Sequence, residues 1–244
     1  MNKTRRELLT GISLAGAGAL LIGCRTTPNQ TNQDGPAPGE STPAEVTATE
    51  DLMREHGVLR RALFVYRESA AKLKQDAAAV PLDALEKTAQ LVRVFGEDYH
   101  EQKLEEAIIF PVLKRFRGPA VQQVDTLIVQ HARGREITDY ILSVTKEDSI
   151  SSSAAAALAT AMESFARMYE YHAAIEDTVI FSTWKGLLGE AELDELGAKF
   201  EEVEAEHFGD HNGFEAAVAR MAEIETSLGW HSLEALTAPA PPKI

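Results

Sequence analysis

Residues 169–181, YEYHAAIEDTVIF, place His172 and Glu176 four apart, about one helical turn, so the two side chains share a face. Leu158, Phe165, Met168, Ile175 and Val179 recur at the spacing of that same face. A histidine and a carboxylate therefore point into an apolar interior, where polar groups need partners. The reading of the chain turns on what other helices bring to meet them.

The helix holding this stretch starts at the Ser151-Ser152-Ser153 cluster and runs to about Leu188, where Gly189 ends it. Upstream, a helix from about Ala120 to Lys146 carries Val124, Leu127, His131, Thr138 and Ile141 on one face. Before it, Gly118-Pro119 stops a helix running from about Pro81 to Arg117. The first helix has two candidate starts, Thr42-Pro43-Ala44-Glu45 and Thr47 with Glu50, and runs to about Lys74 with Leu52, His56, Leu59 and Leu63 on one face. A further stretch covers 190–207, breaks between Gly209 and Gly213, and resumes to about Leu228. No strand pattern and no usable internal repeat stands out. The prediction is an all-α fold: an up-down-up-down four-helix bundle with an additional C-terminal helical segment.

In such a bundle the start of helix one, the end of helix two, the start of helix three and the end of helix four lie at the same end. His56, Glu105, His131 and Glu176 all fall eleven to thirteen residues from that end, roughly 16–20 Å at about 1.5 Å per residue. With His100 and His172 they form one layer: His56, His100, Glu105, His131, His172 and Glu176 are the candidate metal ligands. Nitrogen and carboxylate donors without thiolate suit iron, manganese or zinc. A carboxylate four residues from a histidine can bind the same ion or bridge two, which favours a two-metal centre; iron would permit redox work and zinc would not.

Helix two strains this scheme. Position 104 is Leu, so Glu105 is five residues from His100, and at about 100° per residue the side chains of a regular helix would diverge by about 140°. A π-bulge between Glu101 and Leu104 would realign them. Alternatively Glu101 and Glu105 face inward together and displace His100, and Glu106 is the third carboxylate at hand. His207 and His211, in EVEAEHFGDHNGF, offer further ligands or are surface histidines beside a loop. Tyr99 and Tyr169 are placed to donate a hydrogen bond to a bound ligand if they face inward.

The front of the chain is different in kind. Lys3, Arg5 and Arg6 precede an apolar run, LLTGISLAGAGALLI (8–22), too short to span a bilayer. TRRELL (4–9) resembles a twin-arginine export signal, and LIGC (21–24) resembles a bacterial lipobox in which Cys24, the sole cysteine, carries the lipid. Residues 25–45 read as a polar tether rich in Pro, Gly, Thr and Asn. The expected organisation is a signal peptide (1–23), a flexible tether (24–45), a helical bundle (46–230) and a tail (231–244). The expected location is a lipid anchor at the outer face of the cytoplasmic membrane, or the periplasmic side of the envelope. The net charge of -14 repels phosphate backbones, and no basic patch argues for nucleic-acid binding. No phosphate loop and no Ser-His-Asp arrangement in strand–turn context argues for hydrolase or transferase chemistry.

Together DLMREHGVLRR around His56, DYHEQKLEEAIIFP around His100, QHARGREITDYI around His131 and YEYHAAIEDTVIF around His172 resemble the hemerythrin-like, HHE cation-binding domains over about residues 50–230. The resemblance implies a non-haem centre of two Fe ions, with the four histidines as ligands, Glu176 as the helix-four bridge and Glu105 as the best match for the helix-two bridge. Zinc or manganese are secondary expectations. It also implies a small diatomic or peroxide ligand (oxygen, peroxide or nitric oxide), bound or reduced. The alternatives are a non-enzymatic iron or oxygen binding or sensing module, or a structural metal-binding helical lipoprotein. A redox or signalling partner is not identified by the sequence.

Overall fold

The structure, a computed structural model, describes residues 46–209 and 212–242. The chain divides into two units, Met1–Val46 and Thr47–Ile244, and only the second is described beyond Val46. The export signal, Cys24 and the tether lie outside the described residues, as does the Thr42-Pro43 helix start. Among the described residues there is no strand.

Helix α1, Ala48–Leu73, is capped by Thr47, whose hydroxyl accepts from the Glu50 amide; of the two candidate starts the structure uses this one. Helix α2 spans 82–113 in three continuous parts: α-helical Leu82–Leu91, π-helical Val92–Ile109 and α-helical Phe110–Leu113. Helix α3 is Pro119–Thr145, with proline in its first turn, where an amide hydrogen is not needed. Helix α4 spans 152–186, capped by Ser151 and carrying one π turn at Glu176–Ile180. Neighbours in sequence pack as neighbours in space, and α1 closes the ring against α4.

Large buried side chains fill the bundle on either side of the polar layer, among them Leu52, Tyr66, Leu85, Phe110, Phe165 and Trp184. The outer seam of α1 and α4 carries a ladder of ion pairs, Arg60–Asp177, Arg67–Glu170 and Lys74–Glu163, spaced seven residues apart and running antiparallel. Helix α5, Glu190–Phe208, stacks Phe200 on Trp184 of α4. Helix α6, Gly213–Ser227, lies against α1 and α2, where Glu225 takes a two-point ion pair from Arg61. The C-terminal helices thus cover the outside of the bundle, leaving its interior to the four long ones.

Candidate metal centre

Two pairs of histidines face each other in the bundle interior. His56 Nε2 lies 3.0 Å from His100 Nε2, and His131 Nε2 lies 3.1 Å from His172 Nε2. Between the pairs stand two carboxylates. Glu105 directs Oε1 to His100 (3.5 Å) and Oε2 to His131 (3.4 Å). Glu176 directs Oε2 to His56 (3.5 Å) and Oε1 to His172 (3.0 Å). Each carboxylate therefore reaches both pairs, and each pair meets one oxygen from both carboxylates. The structure brings together all six residues singled out in the sequence.

The local backbone makes this possible. In α2 the amide of Phe110 bonds the carbonyl of Glu105, and in α4 the amide of Phe181 bonds the carbonyl of Glu176, both five residues back. Such π turns rotate the chain less per residue than an α-helix, so residues five apart return to one face. The wide segment of α2 is much longer than a single bulge and contains both His100 and Glu105, which keeps His100 inside beside Glu105. Phe110 then stacks on the ring of His131, and Phe181 on the ring of His56.

Every ring is oriented by its far nitrogen. His56 Nδ1 meets Asp177 at 2.7 Å, His100 Nδ1 meets Glu55 at 2.7 Å, His131 Nδ1 meets Glu106 at 2.8 Å, and His172 Nδ1 meets Gln130 Oε1 at 2.8 Å. Oxygen acceptors at Nδ1 fix the proton there and leave Nε2 as a lone pair aimed at the centre. The surroundings nearly repeat from one half to the other. Arg60 pairs with Asp177 as Arg135 pairs with Glu106, and Glu55 precedes His56 as Gln130 precedes His131. Glu106 likewise follows Glu105 as Asp177 follows Glu176.

The arrangement fits a pair of cations. Two nitrogens on one ion, each about 2.0–2.1 Å from it and at right angles, stand roughly 3 Å apart, the separation within each histidine pair. Without a cation, opposed lone pairs repel, and none of the four oxygens of Glu105 and Glu176 has a hydrogen-bond partner although both side chains are fully buried. Burial pushes the Glu105 carboxyl up, yet His100 and His131 overcome it and hold it well below its ordinary value. Burial pushes His100 down, and the Glu105 and Glu55 carboxylates hold it well above. His131 is likewise opposed by burial but raised to about 10, chiefly by the Glu101 charge and by Glu105 and Glu106. The carboxylates thus demand positive charge at the centre, which metal ions can supply in place of protons. Glu105, His131, His172 and Glu176 form one group able to hold a metal, and His56, His100 and Glu105 another. A third group, Glu101 and Glu106 beside His131, already holds the Arg135 guanidinium at 3.0 and 2.8 Å.

Glu101 and Glu106 are therefore partners of the centre rather than its bridges. Glu101 accepts from the Tyr169 hydroxyl at 2.7 Å, and Tyr99 donates to Glu55 at 3.3 Å, so both tyrosines face inward. His207 is half-buried in the last turn of α5, beside the Gly209–Gly213 break, with its ring against Tyr99, and belongs to none of the groups able to hold a metal; His211 lies outside the described residues. A cavity of about 30 Å³ opens beside the cluster, between His100, Glu105, His172 and Glu176 on one side and Leu59, Leu63, Val92, Phe165 and Tyr169 on the other.

An all-helical bundle whose interior carries paired histidine–glutamate groups able to hold metal defines a cation-binding helical protein. The model of the hemerythrin HHE cation binding domain matches residues 47–184, and the chain belongs to that family. It is 39% identical over 235 residues to the uncharacterized protein Rv1995 of Mycobacterium tuberculosis and to the uncharacterized protein Mb2018 of Mycobacterium bovis. Each alignment covers 96% of this chain and 90% of the relative. No solved structure matches the chain at a significant level.

Proposed function

We propose that the protein is a non-haem di-iron protein that binds or reduces a small ligand such as oxygen, peroxide or nitric oxide. The observation that carries this reading is the disposition of Glu105 and Glu176, each with one oxygen toward either histidine pair. Such placement suits carboxylates that bridge two ions, and a donor set of imidazole and carboxylate suits iron. Iron, when bound, supplies the redox change and the open coordination positions; the chain supplies everything else. His56, His100, His131 and His172 would present Nε2 to the ions, held by their Nδ1 partners. Leu59, Leu63, Val92 and Phe165 form the apolar side of the adjoining cavity of about 30 Å³, which has room for a small ligand beside the cluster. The Tyr169 hydroxyl lies on that wall with its hydrogen donated to Glu101, so its oxygen is the group it offers a ligand.

The test is metal analysis of protein purified without oxygen, paired with visible spectra before and after exposure to oxygen, peroxide or nitric oxide. Two irons per chain and an oxo-bridged absorption band are expected. Fewer than one iron per chain after iron supplementation, with no spectral response, overturns the reading. Turnover of peroxide or nitric oxide above the free-iron background would separate a reducing role from simple binding.

From the twin-arginine-like and lipobox-like strings we also propose that a lipid on Cys24 holds the domain at the outer face of the cytoplasmic membrane, or on the periplasmic side of the envelope. Among the described residues no helix is long and apolar enough to cross a membrane, so the anchor would have to come from residues 1–45. A Cys24→Ser variant is expected to leave the membrane fraction; if it stays there unchanged, the lipid anchor is wrong.

A further inference from the structure

We propose that the two metal positions are unequal, with the His56–His100 position holding its ion tightly and the His131–His172 position holding a second ion weakly, so that they load in that order. The inference rests on the two-metal reading and goes beyond it by ranking the positions from groups that do not touch the ions.

The near-repeat between the halves isolates the difference. His56 and His131 have matching partners: each gives Nδ1–H to a carboxylate, Asp177 or Glu106, that an arginine also holds. His100 and His172 do not match. His100 Nδ1 faces the carboxylate of Glu55, while His172 Nδ1 faces the amide oxygen of Gln130. A carboxylate behind an imidazole makes its metal-facing nitrogen a stronger donor than an amide does, and such partners are typically worth about 10–100-fold in metal affinity.

Burial adds to the contrast. Glu55 is fully buried and its other oxygen accepts from Tyr99, itself fully buried, so its charge is held in place and poorly screened. Gln130 is only half-buried. The two arginines do not separate the positions: Arg135 is the less exposed, but it divides its charge between Glu101 and Glu106, while Arg60 serves Asp177 alone.

Glu101 weighs on the other side, since its charge lies near His131. Its oxygens are committed to Tyr169 and Arg135, however, and the closer approach to His131 Nδ1 is 4.0 Å. Counting Glu55, Asp177 and Arg60 around one position, and Glu101, Glu106 and Arg135 around the other, the net formal charge is the same. The positions differ in which charge reaches a ligand through a hydrogen bond.

The experiment is an anaerobic titration of metal-free protein with Fe(II) against a competing chelator, with bound metal measured at each step. Wild type is expected to take two ions in steps at least about tenfold apart in affinity. Gln130→Glu should tighten the second step and close the gap, and Glu55→Gln should close it by weakening the first. Helical circular dichroism checks folding, and Gln130→Glu, at a half-buried position, keeps the test alive if Glu55→Gln does not fold. Two ions bound in indistinguishable steps overturn this inference and leave the two-metal reading standing. So does a Gln130→Glu variant whose gap is unchanged. Fewer than two ions at saturation overturns both.

Discussion

Glu105 Oε1 stands 3.5 Å from His100 Nε2 although five residues separate them on α2, a pairing that a regular α-helix would not make. The π-helical segment that permits it also turns Glu101 toward Tyr169 and Arg135, and Glu106 toward His131 Nδ1. Three neighbouring carboxylates therefore have three separable roles. Glu105→Gln is expected to reduce bound iron from two per chain to one or none, because it removes the carboxylate charge between the positions and replaces one of the two donor oxygens with an amide nitrogen. Glu106→Gln is expected to keep both ions with affinity lowered about 10–100-fold at one of them. Glu101→Gln is expected to keep iron content unchanged. Metal analysis of the three variants decides it, and full iron in Glu105→Gln would remove Glu105 from the ligand set.

Metal removal should be visible in stability. The buried oxygens of Glu105 and Glu176 have no hydrogen-bond partner, so metal binding to the folded chain stabilises it by mass action. An ion present at 1,000 times its dissociation constant contributes about 4 kcal/mol, and a domain of this size shifts by roughly 2–4 °C per kcal/mol. Chelator-treated protein is expected to melt about 10 °C or more below the iron-loaded form by circular dichroism. Equal melting temperatures would mean the folded state gains nothing from the metal.

Much of this was legible in the sequence because the signals were periodic or chemical. Helix faces, the Gly118-Pro119 stop and the Ser151 cap place α3 and α4 to within a residue or two, and counting along antiparallel helices is enough to bring the six candidate ligands into one layer. The extra residue between His100 and Glu105 pointed to a π distortion, though not to its extent. What stayed hidden were the groups acting across helices. Glu55 sits beside His56 but serves His100, and Asp177 sits beside Glu176 but serves His56. Adjacent positions on a helix point about 100° apart, so no single-helix pattern reveals which neighbour's ring they meet.

Glu97 gives the fold a pH dependence separate from the ligands. Burial pushes its carboxyl from 4.5 up to about 7, against the Thr138 hydroxyl that donates to it and the charges of Arg93 and Arg135. Between those two values the native chain holds this proton while the unfolded chain has lost it. The native state then binds more protons, so stability falls as pH rises through that window and levels off above it. Glu97→Gln can still accept from Thr138 and is expected to lack this fall. Denaturant titrations across pH 4.5–8 should show the variant gaining on wild type by roughly 3 kcal/mol, at about 1.4 kcal/mol per pKa unit. Parallel curves would refute the assignment.

Gly134 is a steric requirement of the same region. A Cβ there would meet the Tyr169 hydroxyl at 2.0 Å and its ring at 2.8 Å. Gly134→Ala must therefore displace Tyr169 and break its hydrogen bond to Glu101. Overpacking of this kind costs about 1–3 kcal/mol, so the expected result is a melting temperature lower by roughly 2–12 °C. An unchanged melting temperature would show that Tyr169 has room to move.

The ladder between α1 and α4 separates structure from function within one row of ion pairs. Lys74–Glu163 and Arg67–Glu170 join side chains that are each more than 40% exposed, where such pairs contribute at most about 1 kcal/mol. Asp177, at the third rung, is 11% exposed and accepts from His56 Nδ1 as well as from Arg60. Lys74→Ala is expected to change neither iron content nor melting temperature by more than a few degrees. Asp177→Asn replaces the carboxylate behind His56 with an amide and is expected to weaken the first, tighter Fe(II) step about 10–100-fold while leaving the second in place. Matched titrations of the two variants test the contrast. A normal first step in Asp177→Asn would mean that the carboxylate only orients the ring, a task the amide oxygen performs as well.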